Sequence, residues 1–138
     1  MPDECIFCKI LQGEVPSSKV YENEKIFAFL DLNPVNPGHT LVIPKKHYQD
    51  IEKIPEDLLI EMVKAVKKIG LAIKEGLEAK GYNIGLNNGR VAGQLVPHVH
   101  FHVMPRKIGD GLKLWPQRKY QGQEMDKTAK LLSSHIES

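Results

Sequence analysis

The sequence predicts an α+β domain: an antiparallel sheet of about five short strands, one long helix on one face, and a second helix near the C-terminus. Three observations carry this. Short runs rich in β-branched and aromatic residues flank a single long segment of helical period. Most connections between the runs are short, which favours an antiparallel sheet with the helix on one face. The chain has 138 residues, 41% apolar and 26% charged, which suits a single domain over residues 1–138 built around one core.

The elements follow in chain order. Residues 5–12 read as a short helix or turn, closed by Gly13 and Pro16. Lys19-Val20-Tyr21 and the run from Lys25 to Leu30 read as strands, with Glu22-Asn23-Glu24 as a hairpin turn. Two prolines and a glycine make 33–38 a loop, and His39 to Ile43 a strand closed by Pro44. From Pro55 to Lys80 the apolar residues Leu59, Met62, Val66, Ile69, Ile73 and Leu77 recur at helical steps. Pro55 suits the first turn, Glu56 and Asp57 suit the positive end of the helix dipole, and Gly81 suits the stop. Tyr82 to Leu86 is a strand, followed by a glycine-rich loop to Gly93. A last strand runs from about Val96 until Pro105 ends it, and a last helix from Gln123 to about His135.

Bulk charge excludes some partners. A net charge of +2, with no basic run interleaved with aromatics, argues against a nucleic-acid or anionic-membrane partner. No apolar stretch approaches the roughly 18 residues that span a bilayer, and Met1-Pro2-Asp3-Glu4 lacks the features of a signal peptide. A cytoplasmic location is the expectation. The only cysteines, Cys5 and Cys8, form a Cys-x-x-Cys pair, which in a reducing compartment suits half of a zinc site better than a disulfide.

His98-Val99-His100-Phe101-His102-Val103 carries the chemistry. Strand side chains alternate between faces, so three imidazoles share one face while Val99, Phe101 and Val103 take the other. A neutral imidazole attacks phosphorus without first losing a proton, and its N-phosphoryl product is labile to water. Such a site needs a fixed tautomer, a second proton-transfer group and donors for phosphate oxygens. His100, at the centre, has neighbours on both sides, and the amides of Gly93-Gln94-Leu95 suit an anion nearby. Gly85, Gly89 and Gly93 match neither a P-loop nor a dinucleotide-binding pattern.

His98-Val99-His100-Phe101-His102-Val103-Met104 resembles the histidine triad (HIT) signature of alternating histidines and apolar residues. The resemblance extends to Cys5-Ile6-Phe7-Cys8-Lys9-Ile10, to Gly38-His39-Thr40-Leu41-Val42-Ile43-Pro44-Lys45, to Leu86-Asn87-Asn88-Gly89 and to Ala92-Gly93-Gln94. It implies a HIT-like domain and a hydrolase or transferase cleaving at the α-phosphate of a purine nucleotide or nucleotide conjugate, with no catalytic cofactor. His100 is then the nucleophile that becomes nucleotidylated, supported by His98, His102 and His39. Asp31 falls where the family binds ribose, Phe29 beside the base, and Asn87, Gly93 and Gln94 in the phosphate region. The family also implies a homodimer with one continuous sheet. Phosphoramidase members commonly carry Ser or Thr where this chain has Leu95.

The resemblance also completes the metal site. His47 and His98 sit where some bacterial-type members bind structural zinc, together with Cys5 and Cys8, four ligands for a closed tetrahedron. Within the family, a phosphoramidate or adenylate hydrolase is one expectation. A dinucleoside polyphosphate hydrolase is the alternative, since Met104-Pro105-Arg106-Lys107 after the triad looks like that branch. Two readings from other classes are a metallohydrolase ligating its metal through His98, His100 and His102, and a nucleotide-binding module without turnover.

Overall fold

The computed structural model describes residues 4–136. Its elements are α1 (Ile6–Leu11), β1 (Lys19–Glu22), β2 (Ile26–Leu30), β3 (Thr40–Pro44), α2 (Glu56–Gly76), β4 (Gly81–Leu86), β5 (Phe101–Arg106) and α3 (Glu124–Ser134). The five strands form one sheet in the order β1-β2-β3-β5-β4, and each adjacent pair is antiparallel. The expected α+β architecture is therefore the observed one.

The β1–β2 turn is built by Asn23, whose Oδ1 accepts from the N–H groups of Lys25 and Ile26 at 2.9 and 2.8 Å, the Asx chemistry that favours turns. The two faces of the sheet are then sorted by alternation. Ile26, Ala28, Val42, Val99 and Val103 meet Met62, Val66, Ile69 and Ile73 of α2 in one core. Phe29, Leu41 and Ile43 point the other way and meet Cys5, Phe7 and Cys8 of the α1 segment. Gly70 lets α2 approach the sheet, because a Cβ there would collide with the Tyr82 ring.

Two boundaries differ from the sequence expectation, each for a backbone reason. α2 stops at Gly76, with Leu77 as its cap and Glu78 at φ +55°, so the chain turns in left-handed geometry before Gly81, which instead opens β4. The histidine strand begins only at Phe101 and contains Pro105. Pairing of β5 with β3 ends at Val42↔Phe101, because Pro44 has no N–H to give and its carbonyl is taken by the His98 ring. The segment before β5 is held instead by Val99 N–H to Tyr48 O at 2.7 Å. Alternation survives without the ladder, so Val99 stays in the α2 core and the histidines keep the opposite face. Pro105 is tolerated because its carbonyl faces past the end of β3, where Asn36 Nδ2 donates to it at 2.8 Å; the missing N–H lies on that same side.

No helix among the described residues is long and apolar enough to cross a membrane. The last helix, α3, buries none of its residues.

Candidate active site and a cysteine–histidine cluster

Backbone partners set the proton on each ring. A carbonyl only accepts, so His100 Nδ1, 2.8 Å from His98 O, must carry its proton, and the lone pair of His100 rests on Nε2. His39 Nδ1 accepts the Val35 N–H at 3.1 Å. The His39 proton is therefore on Nε2, which donates to His102 Nδ1 at 2.9 Å. His102, neutral, then holds its own proton on Nε2. Asp31 Oδ2 lies 3.6 Å from His39 Nε2, at the far end of this row.

Burial keeps the row uncharged. His100 is 6% exposed and His39 4%. Desolvation is the main cause that lowers the pKa of His100, against the opposing pull of the His98 carbonyl and Asp31. His39 is lowered in the same way, with Asp31 opposing. His102 is pushed down to about 4 by burial and then by His100 and His39. A neutral His100 stands beside a neutral, Nε2-protonated His102, with ring centroids 5.0 Å apart, so an available lone pair and an N–H donor lie side by side. Phe7 closes the other flank, edge-on to His100 at 5.0 Å. That contact was not anticipated from the sequence; the signal was Phe7 lying between the two cysteines.

His98 belongs to a different assembly. Its Nε2 donates to Pro44 O at 2.9 Å, which turns the Nδ1 lone pair toward Cys5 Sγ at 3.4 Å, Cys8 Sγ at 3.6 Å and His47 Nδ1 at 3.1 Å. Cys8 Sγ is 3.4 Å from His47 Nδ1. All four ligand atoms lie within 4.8 Å of one another. A tetrahedron with Zn–N of about 2.0–2.1 Å and Zn–S of about 2.3 Å has edges of roughly 3.3–3.8 Å, so the donor set and spacing fit zinc. Without a cation, burial and the Cys5 thiol push the Cys8 thiol up to about 11.

The remaining expected residues lie around the row. Phe29 is 4% exposed and meets Phe7 edge-on at 5.5 Å. Gln94 is buried, and its side chain is engaged within the loop: Oε1 accepts from Gly89 N–H at 2.9 Å, and Nε2 donates to Gln49 O and Val96 O at 2.6 and 3.1 Å. It thus fixes the glycine loop that ends at Gly93, whose φ is +93°. Asn87 Nδ2 reaches Gly93 O at 3.5 Å. Leu95 is 83% exposed.

The metallohydrolase alternative fails on ring direction. Two groups of potential ligands occur among the described residues: Cys5, Cys8, His47 and His98, and Asp31, His39 and His102. His98 faces the first, His102 the second, and His100 belongs to neither, so the triad does not converge on one ion.

Residues 12–109 match the family model described as HIT domain. The chain is 58% identical over 107 residues to an uncharacterised HIT-like protein of Methanocaldococcus jannaschii, covering 78% of this chain and 82% of that one. It is 42% identical over 136 residues to an adenosine 5'-monophosphoramidase of Candida albicans, covering 92% and 86%. Among solved structures, a HIT family member from Bacillus subtilis superposes with a TM-score of 0.89 at 39% identity, covering 99% of both chains. A zinc-bound histidine triad family protein from Mycobacterium smegmatis gives 0.77 at 38% identity, covering 96% of this chain and 98% of that one. The buried histidine row, the fold that presents it and these likenesses agree: this chain belongs to the HIT family.

Proposed function

We propose that this chain is a nucleotide hydrolase that cleaves at the α-phosphate of a purine nucleoside phosphoramidate or related adenylate, through a nucleotidyl intermediate on His100. The observation that supports it most is the hydrogen bond from His100 Nδ1 to His98 O, which leaves a bare lone pair on Nε2 of a neutral ring.

In the first step that lone pair attacks the α-phosphorus. The bond from phosphorus to the leaving group breaks, and its electron pair departs with the leaving atom. For a nitrogen leaving group, the Nε2 proton of His102 goes with it. In the second step water attacks the same phosphorus, the bond to His100 breaks and the ring regains its lone pair. The proton lost by water returns to His102, and the nucleoside monophosphate departs. The monophosphoramidase named among the relatives supports the nitrogen leaving group. The dinucleoside polyphosphate alternative rests on the run Met104-Pro105-Arg106-Lys107, in which the Arg106 guanidinium is engaged by Asp110, Asn83 and Leu112 O.

In this reading Asp31 takes the ribose, Phe29 flanks the base, and Asn87, Gly93 and Gln94 form the phosphate side, Gln94 through the loop it fixes. Cys5, Cys8, His47 and His98 hold a structural zinc, which ties α1, and with it Phe7, to the segment that carries His100. The protein is a cytoplasmic homodimer, joined through the open edge of β4 so that the two sheets continue into one. The test is steady-state hydrolysis of adenosine 5'-phosphoramidate. His100→Asn should abolish it while leaving the fold intact, and retained turnover in that variant rejects the mechanism.

A further inference from the structure

Over β5 and β4, on the other side of β5 from β2, lies a cavity of about 560 Å³ bounded at its inner end by Val35 and His39, the latter 3.6 Å from Asp31. His102 and Met104 of β5 and Asn83, Gly85 and Asn87 of β4 line it. Gly85 pairs directly with His102, so no side chain from β4 fills the space beside that ring. The opposite wall is the strap Leu112–Pro116, which includes Lys113 and Trp115.

The strap is anchored at its start. Asp110 accepts from Arg106 Nε at 2.8 Å and Nη2 at 3.1 Å, from Asn36 Nδ2 at 3.2 Å, and from the N–H groups of Lys107 at 3.1 Å and Leu112 at 3.0 Å. Leu112 O accepts from Arg106 Nη2 at 3.1 Å. Both backbone groups of Leu112 are therefore fixed immediately before Lys113. The Arg106 charge is neutralised by Asp110. Lys113, which makes no ion pair among the described residues, supplies the net charge of a wall whose other strap residues are apolar. No lining residue is acidic.

We propose that this cavity is the leaving-group pocket, and that it selects a leaving group carrying both an anionic substituent and an apolar or aromatic body. Lys113 is the specificity-determining cation and Trp115 the apolar wall. The inference rests on His100 as the nucleophile: with the nucleoside over β2, the rest of the substrate lies over β4 and meets the strap. An anion there meets the Lys113 ammonium on an exposed strap whose neighbours Leu114 and Trp115 are apolar.

Two adenosine 5'-monophosphate phosphoramidates that differ in one carboxylate, the conjugates of phenylalanine and of phenethylamine, provide the test. For the full-length protein, the ratio of kcat/KM for the phenylalanine conjugate to that for the phenethylamine conjugate should be at least about tenfold. Lys113→Ala should bring the ratio near unity, and Lys113→Glu should invert it. Trp115→Ala should weaken both conjugates relative to unsubstituted phosphoramidate. The same ratios should appear in Kd measured by calorimetry on the His100→Asn background, which reads the pocket without turnover. Equal values for the two conjugates in either assay, or a ratio unmoved by Lys113→Glu, overturn the proposal. Selective binding together with full turnover by His100→Asn would reject the nucleophile and leave the pocket standing.

Discussion

His39 Nε2 lies 2.9 Å from His102 Nδ1, and the direction of that hydrogen bond is dictated by the Val35 amide on the opposite nitrogen of His39. The tautomer of His102, the proton donor in the proposed mechanism, is therefore specified by the Val35 backbone N–H acting through His39. His39→Phe keeps a buried ring but removes the donor, freeing His102 to adopt the other tautomer. We predict a fall of about 10²-fold in kcat with little change in KM, measured by steady-state hydrolysis. A change confined to KM would contradict the tautomer role.

Acidity acts on the same row. His39, His100 and His102 are each lowered by burial, His102 to about 4, from the ordinary value of about 6.5. The folded protein thus binds fewer protons than the unfolded chain between pH 6.5 and about 4. Their contribution to stability is complete above 6.5 and lost as pH falls through that window. The urea midpoint should drop steadily from pH 7 to pH 5, while kcat/KM stays level to below pH 6.5 before falling. A rate that declines with an apparent pKa at or above 6.5 would contradict burial as the controlling influence.

The cysteine–histidine cluster predicts a metal-dependent fold rather than metal-dependent chemistry. Purified protein should contain one zinc per chain by elemental analysis, and Cys8→Ser should lose it and lower Tm. Activity remaining at temperatures where the variant is folded should respond to the same inhibitors as the parent. Metal-free protein with an unchanged Tm would remove the structural role.

The α2 interface supplies an independent check on the fold. Met62 is fully buried against the sheet, so Met62→Ala should cost about 2–5 kcal/mol in denaturant unfolding. At a permissive temperature kcat should hold, because Met62 lies on the face opposite the histidines. A cost under about 1 kcal/mol would contradict the core assignment.

Much of this was legible in the sequence because alternation and helical period leave local marks. Val99 and Val103 against His98, His100 and His102 sorted the two faces, even though only His102 of the three sits in a hydrogen-bonded ladder. The α2 stripe from Leu59 to Ile73 read directly, but its end did not, since Glu78 takes the left-handed turn that a glycine was expected to take. What the sequence hid was long-range and mostly backbone. Pro44 O, Val35 N–H and Tyr48 O decide ring tautomers and strand ends, and a carbonyl or amide has no residue signature. The Asp110 clip was hidden for the same reason, since its partner Asn36 is remote in sequence. Gln94 was placed in the right loop, yet its side chain braces that loop from within.

In the proposed mechanism His100 carries the nucleotide during turnover. Mass spectrometry of protein quenched in alkaline denaturant within one turnover on adenosine 5'-phosphoramidate, and kept above neutral pH, reads it directly. An adenylyl adduct is expected on the peptide containing His100 and should be absent from His100→Asn. Full turnover with no adduct at any time, or an adduct on a different residue, would contradict it.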